Sequence, residues 1–171
     1  MQPAMTLLLD GFGRLPDSVH GVVEGLTVEE LTYRLDAESN TIAWLVWHLT
    51  RVQDDHVAGA AGSDQVWTKA GWADRFGLPF PVSAHGYGQS SDDVAQVRSS
   101  ASLLVGYFDA VYERSVEFLS GLSEADLDRV VDTRFDPPVT LGVRLVSVLA
   151  DDLEHVGQAA LIRGVVLRGR S

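Results

Sequence analysis

Apolar residues return every three or four positions along most of the chain, and no stretch alternates apolar and polar as a half-buried strand does. The most regular run lies near the end, where Leu141, Leu145, Val148, Asp152, His155, Ala159 and Ile162 mark the seam of one long helix. Two of these positions are polar, and a buried seam holds polar groups only with a partner or a purpose. A second run, over residues 90–121, puts Val94, Val97, Ala101, Leu104, Phe108, Val111, Ser115 and Phe118 on one stripe and predicts a single helix. Ser90 and Asp93 suit its start and Gly121 its end. A third, residues 40–62, has Ile42, Leu45, Leu49 and Val52 as its stripe but is apolar on most sides, which predicts deep burial. A first helix is expected over about residues 5–24, with Pro16 either kinking it or opening its second half. The fold class is therefore all-α, a four-helix bundle.

Two shorter pieces, "GLTVEELTYRL" and "GLSEADLDRVV", each begin with Gly-Leu and a capping box, Thr27 with Glu30 and Ser123 with Asp126. Residues 41–57 and 140–156 also align without a gap, so each half reads as a short helix followed by a long one. An internal repeat and shared helix-start chemistry both account for this. Residues 66–89, with several Gly and Pro and many aromatics, have no steady period and predict a long irregular connection between the second and third helices. Such a segment is either a lid that shapes a pocket or a plug sealing one end of the bundle, with the plug preferred.

At 171 residues the chain is expected to form a single domain over residues 1–171. It has no cysteine, which excludes disulfides, thiolate metal ligands and a cysteine nucleophile, so any sulfur chemistry needs an external thiol. A net charge of −11, with Lys69 the only lysine, argues against nucleic acid as a partner. The opening "MQPAMTLLLDGFG" lacks a cationic lead, and no segment reaches the roughly 20 apolar residues of a membrane span. The expected location is cytoplasmic, with no membrane partner.

Candidate chemistry must come from polar groups on apolar faces. Asp151 with His155 is an i, i+4 pair and Asp152 with His155 an i, i+3 pair, and either carboxylate can share a metal ion with the imidazole. A third ligand must come from another helix. His48, inside "WLVWHLTRV", is the first choice because nothing nearby explains a histidine in so apolar a run, and His56 is the reserve. Two imidazoles and one carboxylate leave coordination positions open, as catalytic sites do. Walls from Trp44, Trp47 and the aromatic connection suit a small, partly apolar substrate. The same Asp and His residues also fit a buried hydrogen bond without a metal. Other motifs fail: Glu154-His155 lacks the second histidine of a zinc-protease helix, Gly86-Tyr87-Gly88 lacks the strand-turn-helix setting of a nucleotide loop, and no serine triad is readable. A di-iron centre needs inward carboxylates on all four helices, and Asp109, Glu113 and Glu117 lie off the seam of theirs.

"NTIAWLVWHLTRVQDDHV", "WADRFGLPF" and "DPPVTLGVRLVSVLADDLEHVGQAALIRG" together resemble the DinB-like superfamily, in an actinobacterial branch of unknown function, over nearly the whole chain. That superfamily includes the metal-binding domain of mycothiol-dependent maleylpyruvate isomerase. The resemblance implies a four-helix bundle with one divalent metal between helices, held by a histidine on the second helix and two residues four apart on the last, commonly H-x-x-x-H-x-G-Q. Here "DLEHVGQ" supplies His155, Gly157 and Gln158, and His48 matches the second-helix position. Asp151 stands where most members have histidine, although the isomerase relatives carry a carboxylate there. The resemblance thus favours Asp151 over Asp152, one residue from the centre of the seam. It further implies zinc or nickel as cofactor, a low-molecular-weight thiol such as mycothiol or water as co-reactant, a small-molecule substrate for transfer, isomerisation or hydrolysis, and a homodimer. The reading from a different class is a non-catalytic binding or stress-associated bundle without metal.

Overall fold

A computed structural model of the chain describes residues 2–170. Proline decides how it begins. Pro16 lies in the first turn of α2 (Leu15–Val23), so the single helix expected over residues 5–24 is two helices, α1 (Pro3–Gly13) and α2, meeting at Arg14. A ring without an N–H is harmless in a first turn, where that donor has no intrahelical partner. A single turn, α3 (Val28–Leu31), follows, closed by the predicted capping box: Thr27 N donates to Glu30 Oε2 at 2.8 Å and Glu30 N to Thr27 Oγ1 at 3.3 Å.

The long helix α4 (Ile42–Ala61) starts at Thr41, whose hydroxyl accepts from Trp44 N at 3.0 Å, and stops at Gly62, which takes the left-handed conformation. It is buried on nearly every side, as its apolar composition predicts. The connection over residues 66–89 is more ordered than expected, with two short helices, α5 (Val66–Lys69) and α6 (Trp72–Phe76), before an irregular stretch.

The single helix expected over residues 90–121 is also two, α7 (Ser91–Gln96) and α8 (Ala101–Ser120). Val97 leaves the helical conformation, and Ser100 opens the new helix by accepting from Leu103 N at 3.2 Å. Ser100 offers the backbone a side-chain partner that competes with a continuous helix. Val97 stays fully buried across the break, which is why the apolar period runs through it unbroken.

Ser123 and Asp126 form the second predicted capping box on a 3-10 turn (Glu124–Asp128). Two strands follow that the helical pattern does not predict, β1 (Val130–Asp132) pairing antiparallel with β2 (Val139–Thr140). Strands of two and three residues are too short to carry an alternation. The last helix, α9 (Leu141–Arg168), is capped by the Thr140 hydroxyl.

α4 packs along α9 and against α8, α2 packs on both α8 and α9, and α1 lies over the same two. Four helical layers, the first broken at Arg14, enclose a core of Phe12, Leu45, Leu104, Phe108, Leu145 and their neighbours. α4 and α9 run antiparallel: His56 of α4 lies near Arg144 of α9, whereas His48 lies against His155. Among the described residues no helix is long and apolar enough to cross a membrane.

Candidate metal centre

The antiparallel contact between α4 and α9 brings three side chains from distant parts of the chain together. One ligating atom from each of His48, Asp151 and His155 lies within 4.8 Å of the other two. Asp151 and His155 are one turn apart on α9, with His155 Nε2 3.6 Å from Asp151 Oδ1, longer than a hydrogen bond. The rings of His48 and His155 meet edge to face with centroids 4.9 Å apart, and Trp44 stacks on His48 at 4.5 Å. His48 is buried, while the side chains of Asp151 and His155 keep 32% and 17% of their exposure, so the cluster opens to solvent along α9.

The two ring nitrogens of His48 differ. Nδ1 donates to the backbone carbonyl of His85, which leaves Nε2 with its lone pair. Burial pushes the His48 pKa down to about 4 against the opposing effect of that bond, so the ring is neutral at pH 7. Burial raises the Asp151 carboxyl, and neighbouring His155 opposes the shift. Asp151 Oδ2 and His155 Nδ1 are both buried without a hydrogen-bond partner among the described residues. Buried polar atoms normally have partners, so a pair of unpartnered ligating residues beside a third fits a cation. Two imidazoles and a carboxylate suit a borderline divalent ion and leave coordination positions free.

The alternatives left open by the sequence fall elsewhere. Asp152 is fully buried, and neither of its oxygens has a partner among the described residues; burial raises its pKa well above the usual carboxylate range. The seam count places it on the buried face of α9, and it is not one of the three residues whose ligating atoms come together. His56 sits two turns along α4, with Arg144 Nη1 3.4 Å from its Nε2 and the Asp55 carboxylate 3.6 Å from its Nδ1, outside the cluster. Trp44 walls the site as expected, whereas Trp47 turns to Trp67 and Phe80, with ring centroids 6.4 Å and 5.9 Å away.

What sequence reasoning missed is the buried polar network beside the site. Arg51, fully buried, donates to the Ala84 carbonyl at 3.1 Å, to Gln65 Oε1 at 2.9 Å and to the Tyr107 hydroxyl at 3.3 Å, and lies over the Trp67 ring at 5.0 Å. Asp54 accepts from Tyr107 Oη at 2.8 Å and from Val66 N and Trp67 N at 2.9 Å and 2.7 Å. An arginine and an aspartate three apart within an all-round apolar helix are the signal that points to such a network.

The model of the DinB superfamily matches residues 12–159. Among solved structures, a conserved protein from Enterococcus faecalis is similar, with 27% identity, a TM-score of 0.90 and 98% of each chain covered. The search of curated proteins finds no match. With a family match that runs from the end of α1 through the candidate ligands on α9, and a bundle that superimposes over almost its full length on a second protein, the chain belongs to the DinB superfamily.

Proposed function

We propose that the chain binds one divalent metal ion through His48, Asp151 and His155 and acts as a metal-dependent enzyme on a small molecule. The reading is carried by the convergence of those three side chains, two of them with buried, unpartnered polar atoms. Zinc or nickel matches the donor set. When bound, such an ion supplies a Lewis acid that lowers the pKa of a coordinating thiol or water. The chain's own residues do the rest. His48 and His155 act as neutral nitrogen donors, and Asp151 adds the one negative charge at the solvent-facing side. Trp44, buried and stacked on His48 and edge-on to His155 at 6.3 Å, backs the two imidazoles with an apolar ring. Since the chain has no cysteine, transfer or isomerisation of the kind the family resemblance implies requires a free thiol such as mycothiol; water in the same place makes the reaction a hydrolysis.

A homodimer is part of the same proposal. Opposite the seam, α9 shows solvent Val143, Val146, Leu153 and Leu161, at 59%, 57%, 46% and 63% exposure, with Ala150, Gly157 and Ala160 between them. A second copy is the occupant favoured by charge, because this strip carries a single charged residue, Glu154, in a chain of net −11, so two like-charged molecules meet there with little opposed charge.

After loading with zinc or nickel and removal of excess ion, elemental analysis is expected to find one ion per chain and calorimetry a raised melting temperature, because an ion specific to the folded state stabilises it by mass action. Asp151→Asn is expected to weaken binding strongly and Asp152→Asn to leave it close to wild type; the reverse order would move the ligand to Asp152, and no uptake at all would favour the metal-free bundle. In cobalt-loaded protein, mycothiol is expected to add a thiolate-to-cobalt absorption band; a spectrum unchanged at millimolar thiol would leave hydrolysis as the reading. Light scattering is expected to give twice the chain mass, and Val146→Glu with Leu161→Glu half of that; a monomeric wild-type chain would remove the dimer.

A further inference from the structure

Three side chains of α4 reach the same short segment of the long connection. Arg51, His48 and Trp44 are spaced three and four apart, so they share one face of the helix. Arg51 Nε donates to the Ala84 carbonyl at 3.1 Å, His48 Nδ1 to the His85 carbonyl, and Trp44 Nε1 to Gln89 Oε1 at 2.7 Å. Residues 84–89 therefore cross that face in the direction opposite to α4. At its middle the backbone passes so close that only glycine fits. A Cβ on Gly86 would stand 2.5 Å from His48 Nδ1 and 3.0 Å from Trp44 Cζ2, and Gly86 has a φ of +104°. The upstream end is the best anchored, because the guanidinium that holds Ala84 is itself tied to Gln65, Tyr107 and the face of Trp67.

We propose that residues 84–89 form a strap that positions His48, with Gly86 and the His85 carbonyl as the positioning groups and Arg51 as the anchor. A neutral imidazole has one N–H, and the carbonyl takes it at Nδ1, so Nε2 is the nitrogen left for a ligand. The stacking of Trp44 and the absence of a Cβ at 86 fix the plane of the ring. The strap selects the tautomer before any ion arrives, which distinguishes this inference from the metal reading on which its functional meaning rests. It also gives the long connection a role other than a lid over a pocket or a plug: its backbone is part of the site's framework.

Gly86→Ala and Gly88→Ala make a matched pair for the test. Both positions have positive φ, +104° and +75°, so both variants carry backbone strain, but a Cβ at 88 meets nothing within 4 Å. Two measurements are made on each protein: the tautomer of His48 by nitrogen-15 NMR without metal, and cobalt affinity by absorption titration. The wild type and Gly88→Ala are expected to keep His48 protonated at Nδ1. Gly86→Ala is expected to lose that preference and to bind cobalt about 10–100-fold more weakly, the scale at which partners of metal-ligating histidines act. A wild type protonated at Nε2, a measurement that needs no variant to fold, would overturn the strap, as would a Gly86→Ala variant with unchanged tautomer and affinity. A wild type that takes up no cobalt but keeps the Nδ1 proton would fault the metal reading and still support the strap.

Discussion

The contact between α4 and α9 is the constraint on which the rest of the structure depends. α4 is buried on nearly all sides, with Asp55 and His56 partly exposed towards its C-terminal half, so each buried polar residue it carries needs a partner inside the protein. His48 finds the His85 carbonyl, Gln53 donates to the Ser115 hydroxyl at 2.7 Å, Asp54 caps α5, and Arg51 reaches across to the connection and to α8. These bonds set where the neighbouring elements lie. α9 then closes over one strip of α4 with its own apolar seam, and the same antiparallel register that buries Leu145 and Val148 carries Asp151 and His155 to His48.

The energetics favour reading the two polar groups near the site differently. Arg51 and Asp54 make several hydrogen bonds each, although Arg51 Nη2 has no partner among the described residues, and removing one partner from such a network costs far more than the network contributes when intact. Asp152 has no such partners, burial raises its pKa well above the usual carboxylate range, and leaving a buried polar group unpaired costs on the order of 1–3 kcal/mol. The chain tolerates this beside the ligand candidates and at no comparable point of α9 among its described residues. Asp132, at the other end of the α4 and α9 contact, is held by Arg134 and Arg144 at 2.8 Å and 2.9 Å, well below the usual carboxylate range through those bonds.

Much of the bundle was legible because helices of twenty residues or more repeat their pattern several times. Leu141, Leu145, Val148, Asp152, Ala159 and Ile162 are all buried, and both capping boxes form where a hydroxyl precedes an acid by three. Breaks were less legible than runs. Val97 keeps the apolar rhythm going through a non-helical turn, and two strands of two and three residues are below the length at which any period shows. In the candidate site, spacing along one helix related Asp151 to His155, and family register separated Asp151 from Asp152 where a seam count could not. The strap was invisible for a simple reason: it is made of a backbone carbonyl 37 residues from the histidine it holds and a missing Cβ on the next residue, and neither leaves a mark in a pattern of side chains.

Anomalous diffraction from crystals of the zinc-loaded chain, recorded on both sides of the zinc absorption edge, tests the central claim most directly. One anomalous peak per chain is expected between α4 and α9, bound by His48 Nε2, an Asp151 carboxylate oxygen and His155, with the His48 Nδ1 still on the His85 carbonyl. A peak at His56 or Asp152, or zinc confined to exposed acidic residues while His48, Asp151 and His155 stay unligated, would contradict the account.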